Sequence, residues 1–197
     1  MNSLLKEQGY LLVKHVLTPD IYKFLTHVLL RKQHLENIED PQVPDCLAIM
    51  SHEVMFETVL EQVWPLLEQV VELELLPTYA YARLYTNGNM LENHTDRPAC
   101  EISLTVQLAR SHHYSWPIYL NGTRFDLAEG DGIIYLGCDM PHWREVCMGP
   151  PDYYTGQVFL HYVNANGPYS SEYGDITSRK PADKLFAKYR NFLVEDK

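Results

Sequence analysis

Residues 91–103 read LENHTDRPACEIS, with a histidine and an aspartate two apart, at His94 and Asp96. The stretch runs straight into EISLTVQLA (101–109), where apolar Ile102, Leu104, Val106 and Leu108 alternate with Ser103, Thr105 and Gln107. That period of two predicts a half-buried strand whose other face is polar but uncharged. Side chains two apart on an extended chain share a face, so His94 and Asp96 project together where the chain enters this strand. Either they sit on a hydrogen-bonded bend, or they hold something in common.

The surrounding chain has the same texture. TYAYARLYT (78–86) reads as a tyrosine-rich strand and NGN (87–89) as a turn. WPIYLNGTRFDL (116–127) predicts a hairpin closed by Asn121-Gly122, which also accounts for the NGT triplet. GDGIIYLG (130–137) and QVFLHYV (157–163) supply further strands. Upstream, GYLLVKHVL (9–17) predicts a short strand, and Thr18 and Pro19 suit the start of a helix over 21–32. Residues 33–50, broken by Pro41 and Pro44, read as a loop. A helix is expected over 53–74, kinked or split by Pro65. A last, peripheral helix is expected over 181–193. Helices followed by short strands with hairpin turns predict a mainly β, α+β fold built on a double-sheet roll or barrel. No linker divides the chain, so one domain is expected over 1–197. It comprises a mainly helical part (1–76), a β core (77–164) and a tail with a helix (165–197).

Bulk properties narrow the function. The chain has 197 residues, 46% hydrophobic and 21% charged, ordinary for a globular domain. A net charge of −10 with no Lys/Arg run argues against a nucleic-acid partner. The N-terminus lacks the cationic-then-apolar pattern of a signal peptide, and no apolar run approaches the roughly 20 residues that span a bilayer. The expectation is a soluble, cytoplasmic protein with no membrane partner. Four cysteines without CxxC spacing are expected to be reduced.

Of nine histidines, His15, His27, His34, His52, His112 and His113 have no partner in evident register. His142 is different, because it follows the apolar strand of GDGIIYLGCDMP. Two histidines and one carboxylate form the facial triad of non-haem Fe(II) oxygenases, which leaves coordination positions open. His142 lies 46 residues beyond Asp96 (142 − 96), a separation that suits ligands from two different strands.

Longer blocks add specificity. ARLYTNGNMLENHTD (82–96) resembles the tyrosine-strand, glycine-turn and HxD sequence of Fe(II)/2-oxoglutarate-dependent oxygenases of the prolyl 4-hydroxylase-like branch. AEGDGIIYLGCDMPHWREV (128–146) resembles the block carrying the distal histidine, and GQVFLHYVN (156–164) the closing strand. The resemblance implies a double-stranded β-helix, a jelly-roll or cupin-like core with N-terminal helices packed on it. It implies His94, Asp96 and His142 as iron ligands, with no catalytic group beyond them. It implies 2-oxoglutarate and O₂ as co-substrates, with ascorbate as a compatible reductant. The activity implied is hydroxylation of a prolyl or other amino-acid side chain, in a small molecule, peptide or protein.

Tyr85 matches a tyrosine that binds the far carboxylate of 2-oxoglutarate in that family. The family's Arg or Lys, about ten residues beyond the distal histidine, is missing: PPDYYTGQVFL (150–160) has no basic residue, and Thr155 or Gln157 stands in its place. Arg144, two residues after His142, is the nearest replacement, with Arg97 and Arg83 as further candidates. His161 is expected beside the metal or against substrate rather than as a fourth ligand, with a satisfied core histidine as the alternative. Trp116, Tyr135 and Trp143 are candidate pocket walls. The missing basic residue keeps two alternatives open: a cupin-like enzyme with other metal chemistry, and a binding or sensor domain without turnover.

Overall fold

The computed structural model describes residues 1–33, 40, 42–51 and 53–173. Its helices are α1 (Ser3–Gln8), α2 (Pro19–Gln33) and α3 (Val54–Val71). Its strands are β1 (Tyr10–Val13), β2 (Ala48–Ser51), β3 (Leu75–Thr86), β4 (Leu91–His94), β5 (Ile102–Arg110), β6 (Ile118–Leu120), β7 (Thr123–Phe125), β8 (Gly132–Leu136), β9 (His142–Arg144) and β10 (Tyr154–Asn164). The helix expected over 181–193 lies outside the described residues.

The strands form two antiparallel sheets, ordered β1-β8-β5-β10-β3-β2 and β4-β9-β6-β7. Period-two alternation divides the larger sheet into two faces. On one face Ala80, Ala82, Leu84, Leu104, Val106, Val158 and Leu160 pack against Leu25, Leu29, Phe56, Leu60, Val63 and Leu67 of α2 and α3. The opposite face turns toward the smaller sheet, where Ile118, Leu120 and Phe125 meet Ile133 and Tyr135. This mainly β, jelly-roll-like body has its helices stacked on one outer face.

Three expectations change. The polar face of β5 is not exposed: Ser103, Thr105 and Gln107 are buried, because the smaller sheet covers them. Helix α3 is not split at Pro65 but continues through it as one element, with Leu60, Val63, Leu67 and Val71 buried on both sides of the proline. Packing on both flanks outweighs the one lost helical bond. The 33–50 segment, expected as loop, contributes β2, which pairs with β3 from Ala48↔Leu84 to Ser51↔Tyr81. Helix α1 was too short for a periodicity to mark it. Asn2 caps it through Leu4 and Leu5 N–H, and Gly9 closes it at φ 82°. The 118–125 hairpin forms as expected, with Asn121 at φ 46° and Gly122 at φ 84°. Positive φ at both positions is what a type I′ turn requires. No helix among the described residues is long and apolar enough to cross a membrane.

Candidate metal centre and its cavity

Strand pairing brings the triad together. β4 and β9 run antiparallel with His94 opposite His142 and Leu91 opposite Arg144. The two imidazole centroids lie 4.2 Å apart. Asp96 follows β4, and its N–H donates to the Gly137 carbonyl at the end of β8 (2.8 Å). Its Oδ1 lies 3.7 Å from His94 Nε2 and 3.6 Å from His142 Nε2. The ligand atoms of His94, Asp96 and His142 all fall within 4.8 Å of one another.

The protonation pattern suits a cation. His94 Nδ1 lies 2.8 Å from the Glu92 carbonyl and His142 Nδ1 2.9 Å from that of Met140. A carbonyl only accepts, so each Nδ1 carries the proton and each Nε2 offers a lone pair. Gln42 Nε2 donates to His94 Nε2 at 2.9 Å, as that assignment requires. Burial pushes His142 down to about 4, so its imidazole is neutral at physiological pH. Burial also raises the Asp96 carboxyl above its ordinary 3.8, opposed by His161 and His94. Two neutral imidazoles and one carboxylate, clustered with no ammonium or guanidinium between them, fit a divalent ion of the Fe(II) type.

The triad opens on a cavity of about 340 Å³, at the small end of the roughly 300–1,000 Å³ typical of ligand sites. Its walls include Arg83 and Arg144, with Tyr81, Tyr135, Ile118 and Phe159. The two guanidiniums differ sharply. Every nitrogen of Arg83 is engaged: Nε donates to Asp40 (2.5 Å), Nη1 to the Tyr85 hydroxyl (2.7 Å), and Nη2 to Gln42 Oε1 (3.1 Å) and the Tyr81 hydroxyl (2.6 Å). Burial would raise the Asp40 carboxyl, but Arg83 and the hydrogen bonds from Gln42 and Tyr81 hold it below 3.8. Arg144 is 2% exposed. Its Nη1 donates to the Trp116 carbonyl (2.5 Å), its buried Nε has no partner, and its guanidinium stacks 4.9 Å from the Trp116 ring. Among the described residues no carboxylate pairs with it. Burial pulls its pKa downward, and the positive charge of Arg110 adds to that pull.

The other expected site residues divide. Tyr135 and His161 line the cavity. Tyr85 is fully buried behind the cavity wall, its hydroxyl held by Arg83. Gln157 turns away into a buried pair in which its Nε2 donates to Gln107 Oε1 (2.5 Å). Trp143 stacks on Tyr119 at 5.3 Å, and its Nε1 donates to Glu145 (2.9 Å). Arg97 lies 4.9 Å from the Tyr79 ring. Asp40 and Gln42 escaped the sequence reading, because nothing within the 33–50 segment links them to β3 or His94. Gly137 also escaped it. A Cβ there would meet the Cys100 carbonyl at 2.2 Å and Asp96 Oδ2 at 2.6 Å, so the carboxylate requires this glycine. None of the four cysteines is in a disulfide.

No protein-family model and no curated protein sequence matches the chain. Solved structures do. A Pseudomonas putida prolyl-4-hydroxylase superposes with a TM-score of 0.62 at 16% identity, over 80% of this chain and 94% of that one. The fold is that of the 2-oxoglutarate/Fe(II) oxygenases, prolyl-4-hydroxylases among them. A Burkholderia pseudomallei oxidoreductase of the 2OG-Fe(II) oxygenase family gives 0.60 at 16% identity, over 84% and 89%. Streptomyces hygroscopicus HygX, solved with nickel and 2-oxoglutarate, gives 0.59 at 10% identity, over 80% and 84%.

Proposed function

We propose that this chain is an Fe(II)- and 2-oxoglutarate-dependent dioxygenase with a double-stranded β-helix core. One observation carries the reading: a His-Asp-His cluster with both Nε2 lone pairs turned inward shares its cavity with a buried guanidinium that has no anion among the described residues. An uncompensated buried charge costs several kcal/mol, and a dicarboxylate bound beside the triad removes that cost. In this reading His94, Asp96 and His142 hold the iron, and Arg144 receives the far carboxylate of 2-oxoglutarate. Arg83 forms part of the wall beside it, with Tyr85 behind holding Arg83 through its hydroxyl, while Gln157 is paired with Gln107.

Iron in this setting supplies oxidation of a C–H bond by O₂, coupled to loss of CO₂ from 2-oxoglutarate to leave succinate. The protein's part is to hold the two imidazoles unprotonated at Nε2, to orient the co-substrate by its far end, and to keep bulk water out with Ile118, Tyr135 and Phe159. The substrate class follows the prolyl hydroxylases by analogy: a prolyl or other amino-acid side chain, free or within a peptide. Anaerobic addition of Fe(II) and 2-oxoglutarate tests the reading, with a weak visible charge-transfer band as the expected result. Absence of the band, together with no succinate formed in air, would sink it.

A further inference from the structure

Asp96 presents its two oxygens to different neighbours. Oδ1 faces both histidines, at 3.7 and 3.6 Å. Oδ2 lies 3.1 Å from the Ser103 hydroxyl. That hydroxyl is also 3.0 Å from His161 Nδ1 and 3.1 Å from the Cys100 carbonyl. A hydroxyl has one hydrogen to give. The carboxylate is its charged acceptor, and charge-assisted hydrogen bonds are roughly twice as strong as neutral ones. The hydrogen therefore goes to Asp96 Oδ2. His161 Nδ1 meets only a lone pair on Ser103 Oγ, which makes that nitrogen an N–H donor.

The fold imposes this chain of bonds. His161 on β10 stands opposite Ser103 on β5, on the face turned away from the helices. The His161 ring is held by Tyr79, with centroids 4.5 Å apart. Gly137 leaves room for the carboxylate on the other side, where a Cβ would come within 2.6 Å of Asp96 Oδ2. His161, Cys100 and Asp96 have ligand atoms within 4.8 Å of one another. Donation from His161 through Ser103 to Asp96 accounts for the closeness of His161 and Asp96 without any second ion.

We propose that His161 is a positioning residue for Asp96, acting through Ser103. The His161 N–H orders the Ser103 hydroxyl, the hydroxyl occupies Oδ2, and Oδ1 alone is presented between His94 and His142. This inference rests on the metal-site reading above, so its test measures metal binding directly.

The probe is Mn²⁺ alone, titrated into the full-length protein by calorimetry or by loss of the free-ion EPR signal. Groups that orient metal ligands typically contribute 10–100-fold in affinity. Ser103→Ala and His161→Leu are each expected to weaken Mn²⁺ binding by about that factor. His161→Asn, which keeps an N–H near the Nδ1 position, is expected to bind within about threefold of wild type. The double variant Ser103→Ala/His161→Leu is expected to be no weaker than the worse single variant, because both cut one chain. A merely space-filling histidine predicts the opposite order, with leucine tolerated and asparagine harmful. Wild-type affinity in a folded Ser103→Ala variant overturns the proposal, and so do losses that multiply in the double variant. Ser103→Ala removes a single oxygen and carries the test if His161→Leu fails to fold. A wild-type protein that binds no Mn²⁺ or Fe²⁺ overturns the metal reading and this inference together. Wild-type binding that Ser103→Ala leaves unchanged overturns this inference alone.

Discussion

Replacing Arg144 by methionine keeps most of the buried volume and removes the charge. Among the described residues this guanidinium has one carbonyl partner, an unpartnered Nε and no acid. A charge-assisted hydrogen bond is worth about 1.5–3 kcal/mol, and each 1.4 kcal/mol is tenfold in affinity. Loss of the anchor should therefore weaken 2-oxoglutarate binding by about 10- to 150-fold. Iron affinity should hold, because the triad keeps its own hydrogen bonds to Glu92, Met140 and Gly137. A second ligand isolates the carboxylate: 2-oxopentanoate has the same length but ends in a methyl group. Wild type should prefer 2-oxoglutarate over 2-oxopentanoate by roughly that same factor, and Arg144→Met should bind the two alike. Anaerobic titration of the Fe(II) protein, followed by the charge-transfer band, measures all four affinities. Folding should survive, since trading a buried charge for an apolar side chain is often neutral or stabilising. If Arg144→Met keeps the preference for 2-oxoglutarate, the far carboxylate is held elsewhere and the reasoning from the unpaired guanidinium fails.

Arg83→Met should behave oppositely, because it strands Asp40 in a buried site; a loss of about 3–5 kcal/mol is expected in denaturant unfolding, largely recovered by adding Asp40→Asn. The Asp40 pKa lies below its ordinary 3.8, so the ion pair's contribution is present above that value and lost as pH falls through the lowered one. Asp40→Asn should accordingly flatten the acid limb of a stability–pH curve below about pH 4. Gly137→Ala puts a Cβ into the Cys100 carbonyl and Asp96 Oδ2, and should cost about 1–3 kcal/mol of stability. It should also shrink the rise in melting temperature that Mn²⁺ confers. Gln42 Nε2 occupies the lone pair of His94 Nε2 at 2.9 Å, so a metal has to displace it. Gln42→Ala should strengthen Mn²⁺ binding by about 2- to 10-fold, the worth of one net hydrogen bond; unchanged or weaker binding would count against that competition.

What the sequence made legible follows from which interactions are local. Strand alternation, the Asn121-Gly122 turn and the HxD spacing each depend on neighbours along the chain, so β5, the hairpin and the His94/Asp96 pair were readable. The polar face of β5 could not be recognised as interior from its own residues, because the covering sheet comes from residues 91–144. Gln157 shows the limit of counting from the distal histidine. It sits on the site-facing side of β10 yet is consumed by Gln107, one strand away. Arg144 was legible as a candidate because it shares a strand and a face with His142.

On the proposed reading, that placement also explains how the site would dispense with a basic residue at the start of β10. Arg144 and His142 belong to the same three-residue strand, so the proposed metal ligand and the guanidinium are fixed relative to each other by one short stretch of backbone. β6 holds that stretch through Tyr119↔Trp143 and Leu120↔His142. An anchor on β10 would instead depend on the packing of one sheet against the other. Moving the positive charge onto β9 leaves the β10 face free for Phe159 and His161, which line the cavity. It also frees Thr155 and Gln157 to join Gln107 in a buried polar group, in which Gln107 Nε2 donates to Thr155 Oγ1 at 2.6 Å. A lysine or arginine restored at Gln157 would bury a second cation beside Arg83, its direct partner across β3 and β10, with Asp40 already engaged. The absence of a basic residue from 150–160 is thus coupled to the presence of Arg83 and Arg144, and the three features form one electrostatic arrangement.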